Sequence, residues 1–238
     1  MIYHAEGLFQ IAFGNASFSF NPKKIKEKNL LQQIPFEKLN PIMKLRHLVF
    51  LHQIHGKDGL ALKSLPQVRT IKPFSIDGDF LVTQLSHVGL AIATADCLPI
   101  ILFCPRTLTV ALIHAGWRGA VQKVAAAALE YMERLYQVNP TQVRVFFGPS
   151  AKSCCYAVGS EVIDSLNAFS YKDDVLKTRG TETFFDLPRF NMIQLQDAGI
   201  PIASCNTTYN ICTICDPSFC SYRRDKNVQR QMTVVALR

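Results

Sequence analysis

The chain has 238 residues, 48% hydrophobic and 18% charged, with a formal net charge of +8. A typical soluble domain carries about 25% charged residues, so this composition excludes intrinsic disorder as the main state and supports a sizeable core. The most apolar stretch, residues 87–104, is interrupted by Asp96 and Pro99, short of the roughly 18 uninterrupted apolar residues of a spanning helix, so no membrane partner is expected.

The first residues, MIYHAEGLFQ, lack a basic segment followed by an apolar run. No secretory signal is therefore read, and a cytoplasmic location is the expectation. In that setting the eight cysteines suit reduced thiols or metal ligands better than a disulfide framework. The positive balance favours anionic partners such as phosphate. Basic residues are dispersed, from Lys23-Lys24-Ile25-Lys26 to Arg223-Arg224, and form no nucleic-acid arm. With no RNP, zinc-finger or helix-turn-helix signature, no nucleic-acid partner is expected, and the 16 phenylalanines are assigned to the core.

Along the chain, residues 46–54 read as a strand leading to Gly56. Residues 80–83, 88–94, 98–103 and 108–113 are short apolar runs of strand length. Val121, Val124, Ala125, Ala128, Leu129, Met132 and Leu135 then recur at three- and four-residue steps, predicting an amphipathic helix to about Gln137, ended by Asn139-Pro140. Residues 143–147 form another strand, stopped by Gly148-Pro149. Asp186 is placed to cap a helix that tolerates Pro188 in its first turn and closes at Gly199. Residues 201–203 and 232–237 read as strands. Successive strands without intervening helices exclude regular βα alternation. The expected fold is α+β: one compact domain over residues 1–238, with mixed β-sheets flanked by helices.

Three metal-ligand types fall at the ends of these strands: His55, Cys97 and His114. Two imidazoles and a thiolate match the donor preference of Zn2+, and three protein ligands leave a fourth position open, as in catalytic sites. Spacing alone equally describes two rim histidines and a core thiol. His52, three residues before His55 in an extended segment, is expected on the opposite face and in a structural role. Arg118 occupies the first turn of the predicted long helix, where a cation is disfavoured unless an anion binds there. A solvated surface arginine is the other reading. Asp96, beside Cys97, is a candidate proton acceptor or support for the ligands. Cys212 and Cys215 form one CxxC motif without a matching second pair, so these cysteines, with Cys220 and the vicinal Cys154 and Cys155, are expected to be packing thiols. Arg223, in Ser221-Tyr222-Arg223-Arg224-Asp225, is a candidate phosphate or ribose ligand, or part of a charged turn.

Gln53-Ile54-His55-Gly56, Asp77-Gly78-Asp79, Thr94-Ala95-Asp96-Cys97-Leu98-Pro99, His114-Ala115-Gly116-Trp117-Arg118-Gly119 and Ser221-Tyr222-Arg223-Arg224-Asp225 occur in the order of the YfiH family, also called polyphenol oxidase or laccase-domain proteins. The chain resembles that family from about Val49 onward. The resemblance implies a zinc site of His55, Cys97 and His114. It also implies phosphorolysis of adenosine, inosine and methylthioadenosine, with adenosine deamination in the same pocket, so purine nucleosides and phosphate are the expected partners. Two other roles attach to similar proteins: copper-dependent polyphenol oxidation, and editing of cytoplasmic peptidoglycan precursors, for which Cys97 activated by His114 would serve as nucleophile. The chain departs from the family in two places. An Arg-Gly-Gly-Val-Ser-like segment is replaced by Ala12-Phe13-Gly14-Asn15-Ala16-Ser17, and Ala157 stands where a glutamate is usual. Where that arginine holds phosphate or substrate, its loss implies weakened or altered phosphorolysis.

Overall fold

Apolar strands that must bury both faces set the architecture. A computed structural model describes residues 1–25 and 35–238; Lys26 of the basic stretch lies outside the described residues. The strands assemble into two six-stranded sheets and one of three strands. The first large sheet runs Ile2–Glu6, Phe9–Phe13, Arg230–Leu237, Val88–Thr94, His47–Phe50, with Ser19–Phe20 added beside Arg230–Leu237. Its Val88–Thr94 and His47–Phe50 strands are parallel, while the other pairings are antiparallel. The second runs Cys205–Asn206, Arg144–Phe147, Leu98–Cys104, Thr109–Ala115, Phe80–Thr83, Gly59–Leu62. It is antiparallel at its centre and parallel at both edges. The third joins Ala157–Val158, Glu182–Phe185 and Leu176–Arg179. The fold is α+β with mixed sheets, as expected.

The two faces of the second sheet serve different cores. Phe80, Val82, Ile100, Leu102, Ala111 and Ile113 pack beneath helices Val124–Tyr136 and Leu187–Asp197. Leu81, Ile101, Phe103, Val110 and Leu112 point the other way, against Phe9, Ile11, Leu90 and Val235 of the first sheet. A sheet covered on both sides gives continuous apolar runs instead of alternation, which is why the sequence shows Pro99-Ile100-Ile101-Leu102-Phe103 without polar breaks. The stacked rings of Phe9 and Phe103, 4.2 Å between centroids, tie the two sheets together.

Three predicted elements differ in detail. The 46–54 strand is regular only over His47–Phe50. Beyond it the chain turns toward residues 76–79, with the His52 N–H donating to the Ile76 carbonyl and the Gly78 N–H to that of His52. The long helix is two helices, Trp117–Val121 and Val124–Tyr136, broken at Lys123, whose φ is +63°. The break is held by Gln194, whose side-chain amide donates to the Ala120 carbonyl, and by the close approach of Gly119 to the Gly56 carbonyl. Residues 201–203 are not a strand. Pro201 opens a 3-10 turn, Ile202–Ser204, and only Cys205–Asn206 joins the sheet. Asp186 caps its helix as read, accepting from the Arg189 N–H, and Gly199 beyond the helix takes the left-handed conformation with φ +92°. Among the described residues, no helix is long and apolar enough to cross a membrane.

Leu129 is fully buried at the centre of the Val124–Tyr136 face. Leu129→Ala is expected to lower unfolding free energy by about 2–5 kcal/mol, read from urea denaturation.

Candidate metal centre and catalytic cleft

In the second sheet Phe80 pairs with Ile113, so the next pair along the ladder is Asp79 and His114. The His114 N–H donates to the Asp79 carbonyl at 2.7 Å, extending the backbone ladder by one rung. Both side chains leave the same face and meet: His114 Nδ1 lies 2.7 Å from Asp79 Oδ1, and both groups are buried. The carboxylate also accepts from the backbone N–H groups of His55, at 3.0 Å, and Gly56, at 2.6 Å. Burial pushes the Asp79 carboxyl upward, but the His114 hydrogen bond and charge, with the two backbone donors, outweigh it and hold the group below its ordinary value. With Nδ1 held on Asp79, Nε2 is the nitrogen turned to a ligand; burial lowers the His114 imidazole, but Cys97 and Asp79 outweigh it and raise the group to about 9, so a metal bound there displaces the Nε2 proton.

The other two donors come from loops that the backbone strains to position. His55 has φ +61°, and Asp96, immediately before Cys97, has φ +85°. Left-handed conformations at non-glycine residues cost about 1–3 kcal/mol each and persist only where surrounding contacts over-determine them. Those contacts are present. His55 is held by Asp79 and by the Gln122 side chain on its carbonyl. Asp96 accepts from the Thr213 hydroxyl at 2.8 Å and from the Arg223 N–H at 2.7 Å, while its carbonyl takes the Ala151 N–H.

His55, Cys97 and His114 therefore converge. Their donor atoms lie within 4.8 Å of one another, with Cys97 Sγ 3.8 Å from His55 Nε2. The two imidazoles meet edge to face at 4.8 Å between centroids. Space at this point is tight: a Cβ on Gly116 would lie 2.8 Å from the His55 ring and 3.1 Å from Cys97 Sγ. Burial raises the Cys97 thiol, but the charge of His114 and hydrogen bonds from both histidines prevail and bring it down to about 6. The arrangement stabilises a thiolate, the form in which cysteine binds a metal. Two imidazoles and a thiolate in this compact arrangement are capable of coordinating a metal ion.

That cleft has a volume of about 390 Å³ and is lined by His52, His55, Cys97 and His114, with Phe74, Tyr222 and Arg230. His52 does face it, bonded to Asp77 at 2.8 Å. The opposite-face expectation fails because the backbone is no longer extended at His55. Arg118 and Arg223 are not among the lining residues. Arg118 lies in the short Trp117–Val121 helix, not in the first turn of the long one, stacks over Trp117 and pairs with Glu161 at 2.7 Å. Arg223 donates to the Ala157 carbonyl and lies over Tyr156.

Two features escaped the sequence reading. Asp79 stands in the Asp77-Gly78-Asp79 motif with no role assigned to it; its signal is a carboxylate adjoining the wholly buried strand Phe80–Thr83. Of the cysteines expected to be packing thiols, Cys220 is buried, whereas Cys154, Cys155, Cys212 and Cys215 come together with their sulfurs within 4.8 Å of one another.

The chain belongs to the family described as multi-copper polyphenol oxidoreductase laccase, whose model matches residues 33–238. It is 36% identical over 162 residues to a purine nucleoside phosphorylase of Aquifex aeolicus, covering 68% of this chain and 72% of that protein. Over 150 residues it is 35% identical to the adenosine deaminase RL5 of an unknown prokaryotic organism, 61% of this chain and 56% of that protein. Its fold is similar to the crystal structure of the hypothetical protein YfiH of Bacillus licheniformis, with a TM-score of 0.82, 27% identity, and coverage of 97% of this chain and 93% of that one.

Asp79→Asn keeps the shape but sets an amide against three donors, and is expected to weaken metal binding about 10–100-fold, read with Zn2+ as the probe by competition with a chromophoric chelator. Gly116→Ala is expected to reduce affinity for Zn2+, used as the probe metal, while the circular-dichroism spectrum is unchanged, since the atoms nearest the added methyl belong to the His55 and Cys97 side chains.

Proposed function

We propose that this chain is a zinc-dependent enzyme of purine nucleosides, phosphorolysing adenosine, inosine and methylthioadenosine and deaminating adenosine in the same cleft. The observation that carries the reading is the convergence of His55, Cys97 and His114 at the wall of a cleft that also holds two aromatic side chains. Similarity to a purine nucleoside phosphorylase and to an adenosine deaminase supports the substrate class. Zinc held by these three residues would supply Lewis acidity toward attack at C6 of adenine.

The chain's own residues do the positioning. Asp79 fixes the His114 ring and, through two backbone N–H groups, the turn at His55. Phe74 and Tyr222 offer ring faces against which a planar base can pack. Asp96 acts as a positioning residue, because its carboxylate is already engaged by Thr213 and Arg223. Arg118 and Arg223 do not line the cleft itself but flank Tyr156, which also neighbours Cys97 and Asp96, and are assigned to phosphate approaching the centre from that side. The Arg118–Glu161 pair is largely exposed and worth little, so an incoming phosphate can compete for that guanidinium.

The family description favours copper, and two imidazoles with a thiolate also suit that ion. Among the described residues, the remaining four histidines do not assemble a multinuclear centre: His4 bonds Tyr209, His47 lies near Arg69 and Arg46, His52 bonds Asp77 and His87 faces the Lys44 carbonyl.

Incubating the purified chain with adenosine and phosphate should yield adenine, ribose 1-phosphate and inosine, with activity lost in Cys97→Ala. Absence of every product, or copper in excess over zinc together with oxygen uptake on phenols, would overturn the reading.

A further inference from the structure

We propose that Cys154, Cys155, Cys212 and Cys215 form a second metal site, a structural tetrathiolate centre for one zinc ion. It is independent of the histidine-containing centre and assembled from two turns distant in sequence.

The four sulfurs lie within 4.8 Å of one another. A tetrahedral zinc ion with Zn–S bonds of about 2.3 Å separates its sulfurs by about 3.8 Å, inside that limit. Cys215 Sγ sits 2.9 Å from Cys155 Sγ and 3.4 Å from Cys154 Sγ, touching both members of the vicinal pair. A disulfide to either would leave two thiols without partners, whereas a single ion engages all four. The Cys212 and Cys215 spacing is that of a zinc knuckle.

Two further observations concern the turns that carry these sulfurs. The turn bearing Cys154 is bound by Arg179, whose guanidinium donates to the Ser153 and Cys154 carbonyls at 2.7 and 3.2 Å. The turn between Cys212 and Cys215 is bound by Arg224, which donates to the Thr213 and Ile214 carbonyls at 2.8 and 3.3 Å. Arg179 thus brings a cation beside the turn of Cys154, while Arg224, whose charge is met by Asp225 in a bidentate pair, fixes the backbone of the turn between Cys212 and Cys215.

The turns are already registered for the task. The Ser150 N–H donates to the Ile211 carbonyl and the Thr213 N–H to the Ser150 carbonyl, a short parallel bridge leading into both. One of them carries Thr213, whose hydroxyl holds Asp96 next to Cys97. Closing the cluster on an ion would lock the loops that position the candidate active site.

Zinc content of the Cys97→Ala chain, which keeps all four thiols but lacks the ligand sulfur of the other centre, tests this directly after passage through a mild chelator. About one zinc per chain is expected, falling to none when Cys212→Ser and Cys215→Ser are added. Cobalt loaded into Cys97→Ala should give the intense thiolate charge-transfer and tetrahedral d–d bands of a four-sulfur site. Absence of zinc and of those bands in Cys97→Ala overturns the proposal, as does iron in place of zinc. A native disulfide between these cysteines in anaerobically purified protein also overturns it. Should the added serines prevent folding, the Cys97→Ala readings stand by themselves. Because nucleoside turnover is not measured, failure of the enzymatic reading leaves this result unaffected.

Discussion

One buried hydrogen bond organises the candidate centre: the 2.7 Å contact between Asp79 Oδ1 and His114 Nδ1. A carboxylate removed from water is expensive unless every lone pair facing the protein is satisfied, and breaking such a pair by deleting one partner costs about 3–5 kcal/mol. Asp79 meets that demand with an imidazole and two backbone N–H groups. The same three bonds fix a ring, a turn and the end of an interior strand pair relative to one another, so satisfying one buried charge also aligns two of the three candidate metal donors.

The third donor depends on a different set of restraints. Cys97 follows a left-handed Asp96, and that residue is held by hydrogen bonds reaching Ala151, Thr213 and Arg223, all distant in sequence. Strain at His55 and Asp96 is tolerated because the sheets behind them are rigid and covered on both faces. Gly116 completes the arrangement by leaving space where any side chain would strike His55 and Cys97. The ligands are thus placed by a packed scaffold and brought to the cleft by short, over-determined turns.

Much of this was legible in the sequence because it rests on local pattern. The apolar runs mark the central strands, Asp186 marks a helix start, and two of the three candidate ligands, Cys97 and His114, stand at strand ends, whereas the strand before His55 stops at Phe50. What stayed hidden depends on contacts across the chain. The break at Lys123 comes from Gln194 reaching Ala120, some seventy residues away, and no periodicity reports it. The role of Asp79 follows from strand register, which pairs it with His114 only once Phe80 is set against Ile113. The sulfur cluster joins positions about sixty residues apart, so each pair of cysteines read alone looked incomplete.

The central claim is that Asp79 and the two strained turns hold His55, Cys97 and His114 around one zinc ion. Anomalous diffraction from crystals of the native protein, collected on both sides of the zinc absorption edge, tests it most directly. The account predicts an edge-specific peak enclosed by the two imidazoles and the Cys97 sulfur, with Asp79 still bound to His114. No peak at that position, or a His114 ring turned away from Asp79, would contradict it.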